Sequence, residues 1–301
     1  MIRRLCMTVM ICMGAALLLK CSNDADPVAG GTGAGNPSST TTLAIIADTG
    51  FVSSGYTLAK SGMRLSRLLP ITDDDSLQYV LDTTLIKVNT IIFILESPSH
   101  CSDLLASFHG PFNLECDKEG IALSGTFIFD AVNGTVSPSL DSLRIPAGRY
   151  KGIKLMIDKA PSKSSHIDTC ATVDFRGNFF YQHQQRRFRV GLNMNAPIKY
   201  LTYDSTIIVG QDDTTHFLIE MDASHWFSGV SLKPCLENGD IPLDADGNVT
   251  ISCKFPQGAC RSFASVIKAN LVKPQASQLT VHNEAKNMHI KVKISTTSAL
   301  F

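Results

Sequence analysis

The chain has 301 residues, with 27 Lys and Arg against 27 Asp and Glu and no net charge at pH 7. This length can bury a substantial core and permits one large or two moderate domains. Balanced charge without a basic stripe argues against a nucleic-acid partner.

The first informative segment is the amino-terminal one. Arg3 and Arg4 precede an apolar run from Leu5 to Leu19. Its ~15 residues suit the h-region of a signal peptide and fall short of the ~20 of a spanning helix. Leu18-Leu19-Lys20-Cys21 resembles the lipobox of bacterial lipoproteins, with Lys20 where a small residue is usual. Residues 1–20 are therefore expected to be a lipoprotein signal peptide, with Cys21 carrying diacylglycerol and a palmitate-type acyl chain. Two or three chains anchor a protein without a transmembrane helix. A plain signal peptide cleaved elsewhere, or a short uncleaved anchor, remains the alternative. Arg3, Arg4 and Lys20 are the only charges ahead of Cys21, so the remainder has 24 basic and 27 acidic residues, a net of −3. Ser22 follows the cysteine, where no acidic residue argues against outer-membrane delivery. Residues 21–42 are rich in Gly, Ser, Thr and Pro and read as a flexible tether.

From Leu43 the pattern has period two. Ile153, Leu155 and Ile157, then Phe188, Val190, Leu192 and Met194, alternate with more polar neighbours. Phe217, Ile219 and Met221, and Met288, Ile290, Val292 and Ile294, do the same. Such alternation gives strands with one buried face. The unbroken run Ile91 to Leu95 suggests a central strand covered on both sides. Turn signals fall at Asn133-Gly134, Arg176-Gly177-Asn178, Asp246-Gly247 and Asn283 to Asn287. Helical stretches are expected at Cys101 to Ser107 and Ser262 to Leu271. Together these predict an all-β protein, an antiparallel β-sandwich with one or two short helices. Residues 43–230 form the sandwich domain. Residues 231–301 form a C-terminal β extension with a short helix, either part of the same sandwich or a small second lobe.

Nine cysteines occur, of which Cys101, Cys116, Cys170, Cys235, Cys253 and Cys260 follow Cys21. Six in an exported chain suggest disulfides, and six allow 15 pairings. Proximity favours Cys101 with Cys116 and Cys253 with Cys260, which leaves Cys170 with Cys235. No CxxC occurs and the histidines are scattered along the chain, so a zinc site is not expected.

One segment carries a family resemblance. Leu140 to Tyr150, containing Pro146-Ala-Gly-Arg-Tyr150 and continuing through Lys151 to Ile157, resembles the PAGRY stretch of a large family of bacterial surface lipoproteins. That family's shared domain is of unknown function. The resemblance extends in weaker form over roughly Leu43 to Leu232. It implies an immunoglobulin-like or prealbumin-like sandwich and brings no catalytic residues. Read physically, Pro146 suits a strand edge, and Tyr150 can pack its ring while its hydroxyl reaches a backbone partner.

Several constellations bear on function. Phe175, Phe179, Phe180 and Tyr181 cluster around Arg176-Gly177-Asn178 and, with Arg176, would suit a glycan or peptide ligand; the favoured reading is a hairpin whose alternate aromatics belong to the core. Trp226 reads as a core plug. Asp73 and Asp75, and Asp244 and Asp246, are weak calcium candidates, though Asp246-Gly247 also suits a hairpin between Ile241–Leu243 and Val249–Ile251. No G-x-S-x-G elbow, H-E-x-x-H helix or P-loop occurs. The chain is therefore expected to be no enzyme and to need no cofactor. The expected protein is lipid-anchored in the bacterial cell envelope at the outer membrane, and its partners are the membrane, through the lipid, and a glycan or protein ligand. It would bind or scaffold without catalysis. A surface polysaccharide hydrolase and a purely structural envelope component are the alternatives.

Overall fold

The computed structural model describes residues 38–48, 68–157, 170–211, 213–253, 259–273, 277–283 and 288–297. Cys21, the expected signal peptide and most of the expected tether lie outside these residues. In chain order the described strands are β1 (Ser38–Asp48), β2 (Leu69–Thr72), β3 (Gln78–Leu95), β4 (Leu114–Cys116), β5 (Gly120–Asp130), β6 (Thr135–Ser137), β7 (Arg144–Pro146) and β8 (Gly148–Ile157). They continue as β9 (Val173–Tyr181), β10 (Gln184–Leu192), β11 (Ala196–Leu201), β12 (Ile207–Val209), β13 (Thr214–Asp222), β14 (Val249–Ile251), β15 (Ser277–Asn283) and β16 (Met288–Thr297). Three short α-helices accompany them: α1 (Cys101–Ala106), α2 (Leu232–Glu237) and α3 (Phe263–Leu271). α1 and α3 fall where the sequence places helical stretches.

Two sheets form a sandwich. One runs β7-β1-β13-β15-β16 and the other β14-β10-β9-β3-β8-β11-β16. β16 belongs to both: its first part pairs with β15 and its last residues with β11. A strand that changes sheet in this way makes a corner of the sandwich. Inward side chains of both sheets share one core, with Phe93 of β3 edge-on to Phe217 of β13 at 5.6 Å between ring centroids. The alternating residues from Ile153 to Ile157, Phe188 to Met194 and Phe217 to Met221 are all buried as the period-two pattern requires.

β3 is the organising strand. Its 18 residues accept β2 and β5 along one edge and β9 and β8 along the other. The run Ile91 to Leu95 is buried throughout, which is why it has no polar alternation. Two pairings depart from the antiparallel expectation: β1 runs parallel to β13, and β14 parallel to β10.

Three sequence expectations are corrected by this architecture. Ser38 to Thr42, assigned to the tether by composition, lie in β1; threonines pair well in a strand, and Thr41 is buried. The turn expected at Arg176-Gly177-Asn178 is the middle of β9. Gly177 is there because a Cβ would overlap the Val80 carbonyl oxygen of β3. The reversal comes instead at Gln182 and His183, both with positive φ, between β9 and β10. The expected hairpin across Asp246-Gly247 is reduced to a single bridge, Leu243 to Val249, because β14 gives its ladder to β10. The C-terminal section joins both sheets through β14, β15 and β16.

The cysteine pairing also differs. Cys101–Cys116 forms as expected, with Cα atoms 5.8 Å apart. The others are Cys170–Cys253 at 6.0 Å and Cys235–Cys260 at 5.9 Å. Register explains the first of these. Ile251 lies beside Val190, and Leu192 beside Val173, so the chain leaves β14 where it approaches β9. Proximity in sequence gives no access to that alignment.

Candidate binding surface

The residues expected to contact a ligand lie mostly inside. Phe175 and Phe179 are fully buried and Tyr181 nearly so. They pack into a cluster with Tyr79, Phe188, Trp226 and Phe227, ring centroids 5.0 to 6.4 Å apart. This corrects the aromatic-patch expectation: alternation along β9 turns these three rings to the core. Trp226 is the core plug, with its ring 5.3 Å from Phe175. The helix α3 is tied to it by Asn270, whose Nδ2 donates to the carbonyls of Trp226 at 3.1 Å and Ser228 at 2.7 Å.

Arg176 faces the other side of β9. Its Nη2 lies 2.7 Å from Asp174 Oδ2, and Arg189 Nη2 of β10 lies 2.8 Å from the same oxygen. Asp174 is completely buried beneath the two guanidinium groups. Arg176 is therefore engaged in holding an internal carboxylate.

The calcium candidates are likewise occupied. Asp73 Oδ1 accepts from the amides of Asp75 and Leu77, and Oδ2 from the Tyr79 hydroxyl at 2.8 Å and the Leu232 amide at 3.3 Å. Burial pushes its carboxyl above the ordinary value despite those donors. Asp244 Oδ1 accepts from the amides of Asn248 at 2.7 Å and Asp246 at 2.9 Å, closing the turn. The Asn248 amide, first among these donors, holds the Asp244 carboxyl below the ordinary range. Asp75 and Asp246 are exposed. Among the described residues no three His, Cys, Asp or Glu side chains converge on a common metal position.

The PAGRY segment is a structural corner. The Tyr150 ring is buried and its hydroxyl donates to the Pro146 carbonyl at 2.6 Å, tying the start of β8 to the end of β7. Burial raises the Tyr150 hydroxyl well above its ordinary pKa, so it remains a donor. Arg149 Nε donates to Glu96 Oε2 at the end of β3, and Thr206 and Lys151 approach the other carboxylate oxygen at 2.9 and 3.4 Å. The Arg149 hydrogen bond, then that of Thr206, lowers the Glu96 carboxyl to about 2.

What the surface offers is different from the expectation. Phe180 of β9 is 48% exposed, and Tyr203, between β11 and β12, is 71% exposed. Phe180 belongs to the aromatic cluster expected from the sequence, whereas Tyr203 was not singled out there. Phe180 stands between two buried aromatics in FFY, so alternation alone turns it outward. On the outer face of the other sheet, His216 of β13 lies opposite His282 of β15, which lies opposite His289 of β16. Thr42 of β1 extends the row, its Oγ1 2.7 Å from His216 Nδ1. Histidines distant in sequence thus form a line across three strands. Half of this was readable: the turn signal after His282 brings the two flanking segments side by side, and the register, with Asn283 opposite Met288, sets His282 against His289.

The class these observations define is a disulfide-closed, all-β sandwich. Comparison with protein-family models, curated proteins and solved structures gave no match.

Proposed function

We propose that this chain is an exported, lipid-anchored bacterial envelope protein that acts as a non-catalytic binding or scaffolding module for a glycan or a protein. The observation that carries the reading is the cysteine pattern: all six cysteines after Cys21 stand in three pairs at disulfide spacing. Such use of cysteine belongs to oxidising compartments. The leader with Cys21 at its end supports the same reading, as does the PAGRY resemblance to surface lipoproteins. No helix of the described residues is long and apolar enough to cross a membrane; in this reading a lipid on Cys21 supplies the attachment.

Contact with a ligand falls to the exposed rings Phe180 and Tyr203. Aromatic side chains offer a large rigid face, and tyrosine adds a hydroxyl for hydrogen bonding. The test is a glycan-array and envelope pull-down screen of the chain beside Phe180→Ala and Tyr203→Ala variants. The reading expects a retained ligand that at least one substitution weakens. Retention unchanged in both variants would remove these rings from the account.

A further inference from the structure

We propose that His282 and His289 form a two-ligand site for a borderline divalent transition ion, with Cu²⁺ the best fit. The two imidazoles are cross-strand neighbours on the β15–β16 hairpin, with ring centroids 6.0 Å apart and planes inclined by 62°. The donor lone pair of an imidazole nitrogen lies in the ring plane. Inclined planes intersect, so one ion can lie in both. Metal–nitrogen bonds of ~2.0–2.1 Å hold the centres of two coordinating rings within about 6 Å of each other. Small rotations about the side-chain bonds therefore suffice.

His216 plays another part. Its ring is stacked on His282 at 6.3 Å and 13°, and near-parallel stacked planes share no such position. It walls His282 from behind and is itself held by Thr42 Oγ1. Stacked beside His282, His216 restricts the orientations open to that ring and is a positioning residue for it.

Access and chemistry agree. Residues 288–293 of β16 pair with β15 alone among the described strands. His289 is exposed there, which leaves room for water to complete the coordination shell. Imidazole nitrogens select Cu, Zn and Ni, and the Irving–Williams order places Cu²⁺ first. The row holds no carboxylate, so it does not suit Ca²⁺ or Mg²⁺, which take oxygen ligands. The inference stands apart from the binding reading above, since neither Phe180 nor Tyr203 belongs to the row.

The test is titration of the untagged, metal-free full chain in detergent with CuSO₄ alone, followed by calorimetry and electron paramagnetic resonance. The proposal expects a saturable site with a two-nitrogen spectrum. His282→Asn and His289→Asn should each weaken it by roughly tenfold or more and abolish the two-nitrogen pattern. His183→Asn, at the exposed β9–β10 turn, should leave it unchanged. His216→Asn should retain the two-nitrogen pattern with weaker binding, since a positioning residue contributes no nitrogen. Wild-type affinity and spectrum in folded His289→Asn, an exposed position, would overturn the proposal, as would a wild-type spectrum without two equivalent nitrogens.

Discussion

Asp174 shows how one residue fixes a local arrangement. Its carboxylate is removed from water and compensated by Arg176 and Arg189 on neighbouring strands. Removing the carboxylate leaves two guanidinium groups that are 32% and 35% exposed and can turn to water, so the loss is that of charge-assisted hydrogen bonds rather than of a stranded buried charge. Asp174→Ala should therefore lower the unfolding free energy by about 1.5–3 kcal/mol in urea titrations. Glu96 makes a pH-dependent contribution. Its folded pKa of about 2 lies below its ordinary value of 4.5. The native state thus binds this proton less readily than the unfolded chain does. The stabilisation is complete above 4.5 and is lost as pH falls toward 2. Glu96→Gln should flatten the decline of the urea midpoint across that window; an equally steep decline would remove Glu96 as a source. Gly177 is limited by space: Gly177→Ala should destabilise by about 1–3 kcal/mol through collision with the Val80 carbonyl. At this scale the sequence was partly legible. Tyr150 was read as a ring with a backbone-bound hydroxyl, and it is. Gly177 was misread as a turn because close approach of β3 is invisible in a single strand. The aromatic residues of β9 admitted a ligand patch beside a core reading because Arg and Asn between them suggested a loop, and burial selects the core for Phe175, Phe179 and Tyr181.

At the scale of elements, alternation was the reliable guide and register was not. The strands around Ile153, Phe188 and Phe217 bury the faces their patterns select. Which strands become neighbours depends on tertiary packing, and every error in long-range placement follows from that. The cysteines are the clearest case. Cys170 meets Cys253 only because β14 runs parallel beside β10, an alignment that no spacing rule supplies. The loop closed by this bond, 83 residues, is the longest of the three. In the chain-entropy description it restricts the unfolded state by about 4–5 kcal/mol, against ~3 for a 15-residue loop. A Cys170→Ser/Cys253→Ser double variant should accordingly lose more stability than Cys101→Ser/Cys116→Ser, measured by denaturant midpoints. The reverse order would argue against the pairing. The histidine row follows the same logic. His282 and His289 face each other through a hairpin the sequence announced, whereas His216 joins through the β13–β15 pairing, which it did not.

For the whole molecule, the fold and the location rest on different grounds. Long runs of β-forming residues, separated by turns, leave the chain few ways to bury its apolar faces other than sheet against sheet. β16 closes one side by changing sheet, and α3 covers the core beside Trp226. The proposed location is inferred from two features, the cationic and apolar run read as a leader ending at Cys21 and the paired cysteines of the sandwich. The measurement that tests this most directly is non-reducing peptide mass spectrometry of the protein recovered from bacterial envelopes. The account predicts an amino-terminal peptide starting at acylated Cys21, together with linked peptides for Cys170–Cys253 and Cys235–Cys260. An unmodified Cys21 within an unprocessed leader, with the six downstream cysteines reduced, would contradict it.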